Sequence, residues 1–327
     1  MGSGGTGSSM KVFGAEILLC PVEARAEALE VLYRRMPRAF RKHLVAEVLA
    51  DERRGEVDLA GLWVARIRSG RIVGAMMTQA MPGRSAALWP PEIGPSWRRN
   101  AIASAMVRQA IDDLASRGFR LVQAALDESA GDQAGRDLAR GGLPRVTDLL
   151  YLSRETAPLL PKPDRPLLCD FEWRPFEASI EDRFRAAMQA SYEGSLDMPE
   201  LEGARGLDEI IEGHQAAGLF VADRWRLGWL PDEPTAQAVL LMTAVPARDA
   251  WEVVYLGLSP AARGRGLGRA AMDYALRFAR EHTPVLELAV DLRNTPAVRL
   301  YQSTGFVPCH QRTIHLTLLG TNPSKLP

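Results

Sequence analysis

The chain has 327 residues, and its 40 Lys and Arg balance 40 Asp and Glu, so no global field draws it to nucleic acid or an anionic membrane. That length exceeds what a single core usually spans, and two domains are expected. Its three cysteines, Cys20, Cys169 and Cys309, lie far apart with no CxxC and no histidine at metal-ligand spacing, which points away from a metal and towards a reducing cytosol.

Residues 1–9 are Gly/Ser-rich and read as a flexible tail or tag. No stretch approaches the ~20 apolar residues of a membrane span, and no basic segment leads into an apolar run at the start, so a cytoplasmic protein without a membrane partner is expected. Residues 10–156 form the first expected domain. Within it, 86–143 reads as a loop, then a helix with Met106, Val107, Ala110, Ile111 and Leu114 on one face. Gly118 stops that helix, "RLVQAAL" (120–126) is a strand, and a polar helical stretch runs to Gly141. "APLLPKPDRP" (157–166) carries four prolines, which block helix and central strand, and reads as the linker.

The second expected domain spans 167–320, with a tail at 321–327. Its stretch 191–218 is acidic, with Glu193, Asp197, Glu200, Glu202, Asp208, Glu209 and Glu212. Those charges suit a cationic acceptor, or they solvate a loop and a helix face. "RWRLGWLP" (224–231) is too sparse for nucleic-acid stacking and reads as a hairpin whose tryptophans cover a sheet. "WEVVYLGLSP" (251–260) is β-branched and apolar and reads as a buried strand closed by Pro260.

The loop that follows, "AARGRGLGRA" (261–270), is both bare of side chains and basic. Glycines let backbone N–H groups come close to a ligand, and a loop opening a helix aims unsatisfied donors outward, an arrangement that suits phosphate. It is not a Walker A loop, because no Lys-Ser/Thr pair follows, and it is not G-x-G-x-x-G, because Arg269 stands at the last glycine position. A helix at 267–281 carries Met272, Ala275, Leu276 and Ala279 on one face, and "VLELAVDL" (285–292) is the next strand. "NTPAVRLYQSTGF" (294–306) then offers Asn294 or Thr295 as N-cap, Pro296 in the first turn and Gly305 as a stop. Setting Ala103 against Gly268, and Gly141 against Gly305, gives offsets that agree to within one residue, which supports a duplication.

The string R-x-x-G-x-G (Arg263 to Gly268) between strand and amphipathic helix, read with "NTPAVRLYQSTGF", resembles the acyl-CoA site of the GCN5-related N-acetyltransferase (GNAT) superfamily. The likeness covers roughly residues 171–320, and the tandem arrangement resembles the mycothiol synthase family in architecture. In the first half the equivalent loop is "RRNAIA" (98–103), where Ala101 and Ala103 replace glycines and Asn100 an arginine, and no tyrosine stands where Tyr301 would align.

The resemblance implies an α/β fold, with two tandem GNAT-like domains that are each a central mixed sheet flanked by helices. Acetyl-CoA would be the acyl-donor co-substrate, with no metal, and the acceptor a small-molecule or peptide amine; the sequence leaves the oligomeric state open, a monomer included. Gly264, Gly266 and Gly268 would admit the pyrophosphate to the backbone beside Leu267, with Arg263, Arg265 and Arg269 adding charge. An N–H of the strand at Leu256, Gly257 or Leu258 would receive the tetrahedral oxyanion. Tyr301 would protonate the departing thiolate, and Glu252, eight positions before Pro260, would be the general base. Asn294 would bond the pantetheine arm or cap its helix, and Tyr192, Glu193 and His214 would meet the acceptor. A non-catalytic acyl-CoA binding module and a transferase acting on a protein amine are the other readings.

Overall fold

A computed structural model describes residues 10–12, 14–95, 98–157 and 171–320. The expected tails, Cys169 and residues 158–166 of the expected linker lie outside the described residues. The chain divides into two compact units, one running to Val146 and resuming at Thr313, the other running from Thr147 to Arg312.

The first unit contains β1 (Met10–Val12), β2 (Ala15–Leu19), α1 (Arg25–Leu32), α2 (Arg38–Arg54), β3 (Leu62–Ile67), β4 (Ile72–Met81), β5 (Ser85–Leu88), β6 (Glu92–Ile93), α3 (Arg99–Ser116), β7 (Leu121–Leu126) and α4 (Gly131–Arg140). Its strands alternate faces with period two. In β3, Trp63 and Ala65 pack towards α3, while Leu62 and Val64 pack towards α1 and α2. On α3 the buried positions Ile102, Ala103, Met106, Val107, Ala110 and Leu114 form one helical stripe.

The next elements are β8 (Arg145–Glu155), β9 (Glu172–Pro175), α5 (Glu181–Tyr192), α6 (Leu207–Gln215), β10 (Trp225–Trp229), β11 (Ala238–Val245), β12 (Ala250–Leu258), α7 (Leu267–Arg280), β13 (Val285–Asp291), α8 (Thr295–Ser303) and β14 (Val307–Leu318). The sheet of the second unit runs β9-β10-β11-β12-β13-β8. All its neighbours are antiparallel except β12 and β13, which are joined through α7 and run parallel. Both faces are covered. Along β11, Val239 and Leu241 pack with Phe184 and Met188 of α5, whereas Leu240 and Met242 pack with Met272, Ala275 and Leu276 of α7. The continuous apolar run of β11 is the signature of a strand buried on two sides. Trp225 and Trp229 cover the α5 face as expected, but 225–229 is a single strand between β9 and β11 and not a hairpin, because the turn to β11 comes after Leu230.

Each sheet is completed by a strand from the other half of the sequence. Residues 149–155 of β8 pair with β13 in the second unit, and residues 313–318 of β14 pair with β7 in the first.

Candidate active site

β12 and β13 are hydrogen-bonded only from Ala250/Val285 to Val253/Leu288 among the described residues. Beyond that point β12 keeps its partner β11, with a bulge opposite Leu241/Met242, while β13 keeps β8. The two strands therefore part, and alternate backbone groups of Val254 to Leu258 on the β13 side face a gap instead of a neighbour. Leu256, Gly257 and Leu258 all lie on this stretch. Gly257 leaves no room for a side chain, since a Cβ there would stand 2.5 Å from the Tyr255 hydroxyl and 2.7 Å from Cβ of Ser191.

At the end of β12 the chain turns through Pro260–Ala262 into the basic loop. Gly264 and Gly266 have φ of +72° and +78°, in the left-handed region where side chains are strained. Gly266 is the N-cap of α7 and offers no side chain to its first turn, so the N–H groups of that turn are left for another acceptor. Gly268 lies against Leu300 of α8, where a Cβ would stand 3.1 Å from the leucine methyl.

The three arginines do different work. Arg263 turns inward and donates to Leu258 O at 3.1 Å, Gly194 O at 3.1 Å and Ser191 O at 2.9 Å, which ties the end of α5 to the end of β12. Arg265 and Arg269 are outward, with single long bonds of 3.4 Å to Ala261 O and Ser303 O.

Across the gap, α8 begins with Asn294 as N-cap, its Oδ1 accepting from Ala297 N at 3.3 Å. Capping accounts for that side chain. Tyr301 is buried in the α7/α8 core beside Phe306. Its hydroxyl has no hydrogen-bond partner among the described residues. Burial holds the phenol well above its ordinary value, and the charges of Asp197 and Tyr255 act in the same direction. Glu252 is placed by β12 on the α5 face and is half-buried. Its carboxyl is pushed up by burial, eased by Arg248 at 3.5 Å, and pushed further by Glu287, its register neighbour on β13. Arg248 also reaches Glu287 at 2.8 Å.

The signature of the acetyltransferase (GNAT) family matches this chain at residues 26–139 and again at 172–306. The chain belongs to that family. A mycothiol acetyltransferase of Acidothermus cellulolyticus is 32% identical over 227 residues, covering 65% of this chain and 66% of that protein. One from Mycobacterium marinum is 32% identical over 255 residues, covering 72% and 75%. The chain thus spans about two thirds of the first of these relatives. Among solved structures, a GCN5-related N-acetyltransferase from Sphaerobacter thermophilus superposes with a TM-score of 0.55 at 16% identity, over 91% of this chain and 94% of that one. The family match identifies an N-acetyltransferase, its two stretches mark two GNAT units in tandem, and the superposition shows the shared fold.

The GNAT face opposite α7 carries α5 and α6. Tyr192 ends α5, its hydroxyl 2.8 Å from Nε2 of His214 and its ring stacked on Tyr255 at 4.9 Å. Glu193 follows as an exposed C-cap. Much of the acidic stretch is spent locally. Glu200 is bound by Arg293, Asp208 by Arg185 at 2.5 Å, and Glu209 accepts from Gly206 N at 2.9 Å. The solvating reading of these charges is the one their contacts favour.

Four residues of this face escape sequence reasoning: Arg205, Tyr255, Glu287 and Asp291. Asp291 left a signal, because it is a charge that closes the strand directly after the apolar run Leu288–Val290. Glu287 left none, since a polar residue within a strand reads as an exposed position.

Proposed function

We propose that the second unit transfers the acetyl group of acetyl-CoA to the primary amine of a small molecule by direct attack on the thioester. The gap between β12 and β13 supports this reading, because the stretch of β12 that has no partner on the β13 side runs directly into the glycine loop that opens α7. The N–H groups from Gly264 to Arg269 cradle the pyrophosphate, with Arg265 and Arg269 adding charge. Arg263 acts by fixing the end of β12, and the stretch Leu256 to Leu258 supplies the oxyanion donor.

A free amine with a pKa near ~10.4 must lose a proton to attack. Glu252 takes it, directly or through water, and a carboxylate raised by burial is a better base than an exposed one. The neutral amine nitrogen bonds to the carbonyl carbon, the carbon–sulfur bond breaks as Tyr301 gives its proton to the thiolate, and the second proton shed by the nitrogen restores the phenol through water.

The first unit serves as scaffold. At the start of α3, where the second unit has glycines, Arg99 is paired at 2.8 Å with the fully buried Asp137, which also accepts from Gln133 at 2.8 Å. That pair occupies donors a coenzyme would need.

The test is free-thiol release from acetyl-CoA across primary amines, polyamines, aminoglycosides and peptides. Amine-dependent release establishes the transferase. Acetyl-CoA binding without release from any amine defeats the reading in favour of a binding module. Gly266→Val separates the loop from the chemistry: a side chain at φ +78° adds about 1–3 kcal/mol of strain and blocks backbone approach. Calorimetry is expected to show acetyl-CoA affinity falling by about tenfold or more, a loss of ~1.4 kcal/mol, in a chain that still melts cooperatively. Unchanged affinity means that the loop does not hold phosphate.

A further inference from the structure

Arg205 immediately precedes the N-cap of α6, and its side chain runs back along that helix, with Nη1 3.7 Å from where a Cβ on Gly213 would lie. Its Nε is buried without a hydrogen-bond partner, and no hydrogen bond or ion pair engages the guanidinium among the described residues. This distinguishes it from other arginines with a buried, unpartnered nitrogen. Arg25 is paired with Glu52, Arg226 with Asp223, and Arg224 lies 4.4 Å over the ring of Trp251. Leaving a desolvated cation without an anion is costly unless a ligand completes it.

Its neighbours are largely neutral, with the charge of Glu209 acting on it from α6 and the hydroxyls of Tyr192 and Tyr255 bonded to His214 and Ser191. Tyr192 and Tyr255 are phenols held protonated by burial, the latter pushed up to about 12. His214 is pushed down to about 4 by burial and by Arg205 itself, so it is neutral at pH 7 and does not compete for an anion. Tyr255 stands two residues past Val253, where β12 leaves β13, and its ring is 5.3 Å from that of His214. The cluster therefore borders the gap on its α5 face. Of the nearby carboxylates, Glu200 and Asp208 are taken by Arg293 and Arg185, and Glu209 is turned to Gly206 N.

We propose that Arg205 binds an oxyanion, a carboxylate or a phosphate, carried by the acceptor amine, so that the substrate class is an acidic amine and not a polyamine or other purely cationic one. A guanidinium matches the planar edge of such a group with two parallel donors, which a lysine at this position would not reproduce. The assignment rests on the reading of the α5/α6 face as the acceptor side.

The experiment uses the full chain and matched pairs: glycine against glycinamide, lysine against cadaverine, and phosphoethanolamine against ethanolamine. The first two pairs report a carboxylate, the third a phosphate. For at least one pair, kcat/KM for the acidic member is expected to exceed that of its neutral counterpart by about tenfold or more. Arg205→Met is expected to bring that ratio close to one through KM, and Arg205→Lys to restore part of it. Calorimetry in the presence of CoA, comparing N-acetylglycine with N-acetylglycinamide, reads the same preference without turnover, and melting curves confirm that the variants fold. Equal preference within every pair, or a ratio that Arg205→Met leaves unchanged, overturns the assignment. Carboxylate-selective binding that Arg205→Met abolishes, with no thiol release from any amine, keeps the anion site and removes the transferase reading instead.

Discussion

Tyr301→Phe is expected to lower kcat for acetyl transfer by about 100-fold or more while the KM for acetyl-CoA moves little. The phenol is held well above its ordinary pKa by burial, so it is protonated throughout the neutral range and can act only as a donor. The sulfur of coenzyme A resembles a cysteine thiol, whose pKa is near ~8.5, so negative charge builds on it as the carbon–sulfur bond breaks unless a proton arrives. Removing the hydroxyl leaves the ring and its packing on Phe306 in place. Because the hydroxyl has no partner among the described residues, its loss should change stability by less than about 1 kcal/mol. Steady-state kinetics, with a melting curve as control, decide the matter. A variant that keeps its kcat removes Tyr301 from the chemistry and leaves the thiolate to solvent.

The parts of the site that the sequence disclosed are those with local signals. The run β12, glycine loop, α7, β13, α8 is readable because periodicity switches from 2 to 3.6 at Leu267, Pro260 closes a strand, and Asn294 and Pro296 open a helix. The pairing of β8 with β13, and of β14 with β7, is not readable, since partners more than a hundred residues apart leave no mark on either strand's composition. Side-chain destinations are hidden in the same way. Arg263, Arg265 and Arg269 look alike in the motif, yet one is fixed by three carbonyls and the other two reach outward. Arg205 sits in a run of loop-forming residues, and only the fold shows that its charge has no partner.

Asp291→Ala is expected to destabilise the second unit by about 3–5 kcal/mol, the range for removing one member of a buried charged network. Asp291 is fully buried at the end of β13 and accepts from Thr147 Oγ1 of β8 at 2.5 Å, from Met198 N at 3.2 Å and from Arg293 Nη2 at 2.7 Å. Its own N–H donates to Asp197 Oδ1 at 2.9 Å. One carboxylate thus fastens a strand that precedes the expected linker, the loop between α5 and α6, and the turn into α8. Burial alone would raise its pKa, but the bonds from Arg293 and Thr147 outweigh it and the folded value is lowered. The stabilisation is therefore complete above the unfolded value near ~3.9 and is lost as pH falls through the lower folded one. Urea midpoints read from the fluorescence of Trp173, Trp225, Trp229 and Trp251 should separate wild type from variant by a constant margin between pH 5 and 8, and the margin should shrink below about pH 4. Equal midpoints at neutral pH show that Arg293, already bound by Glu200, holds the loop without the aspartate.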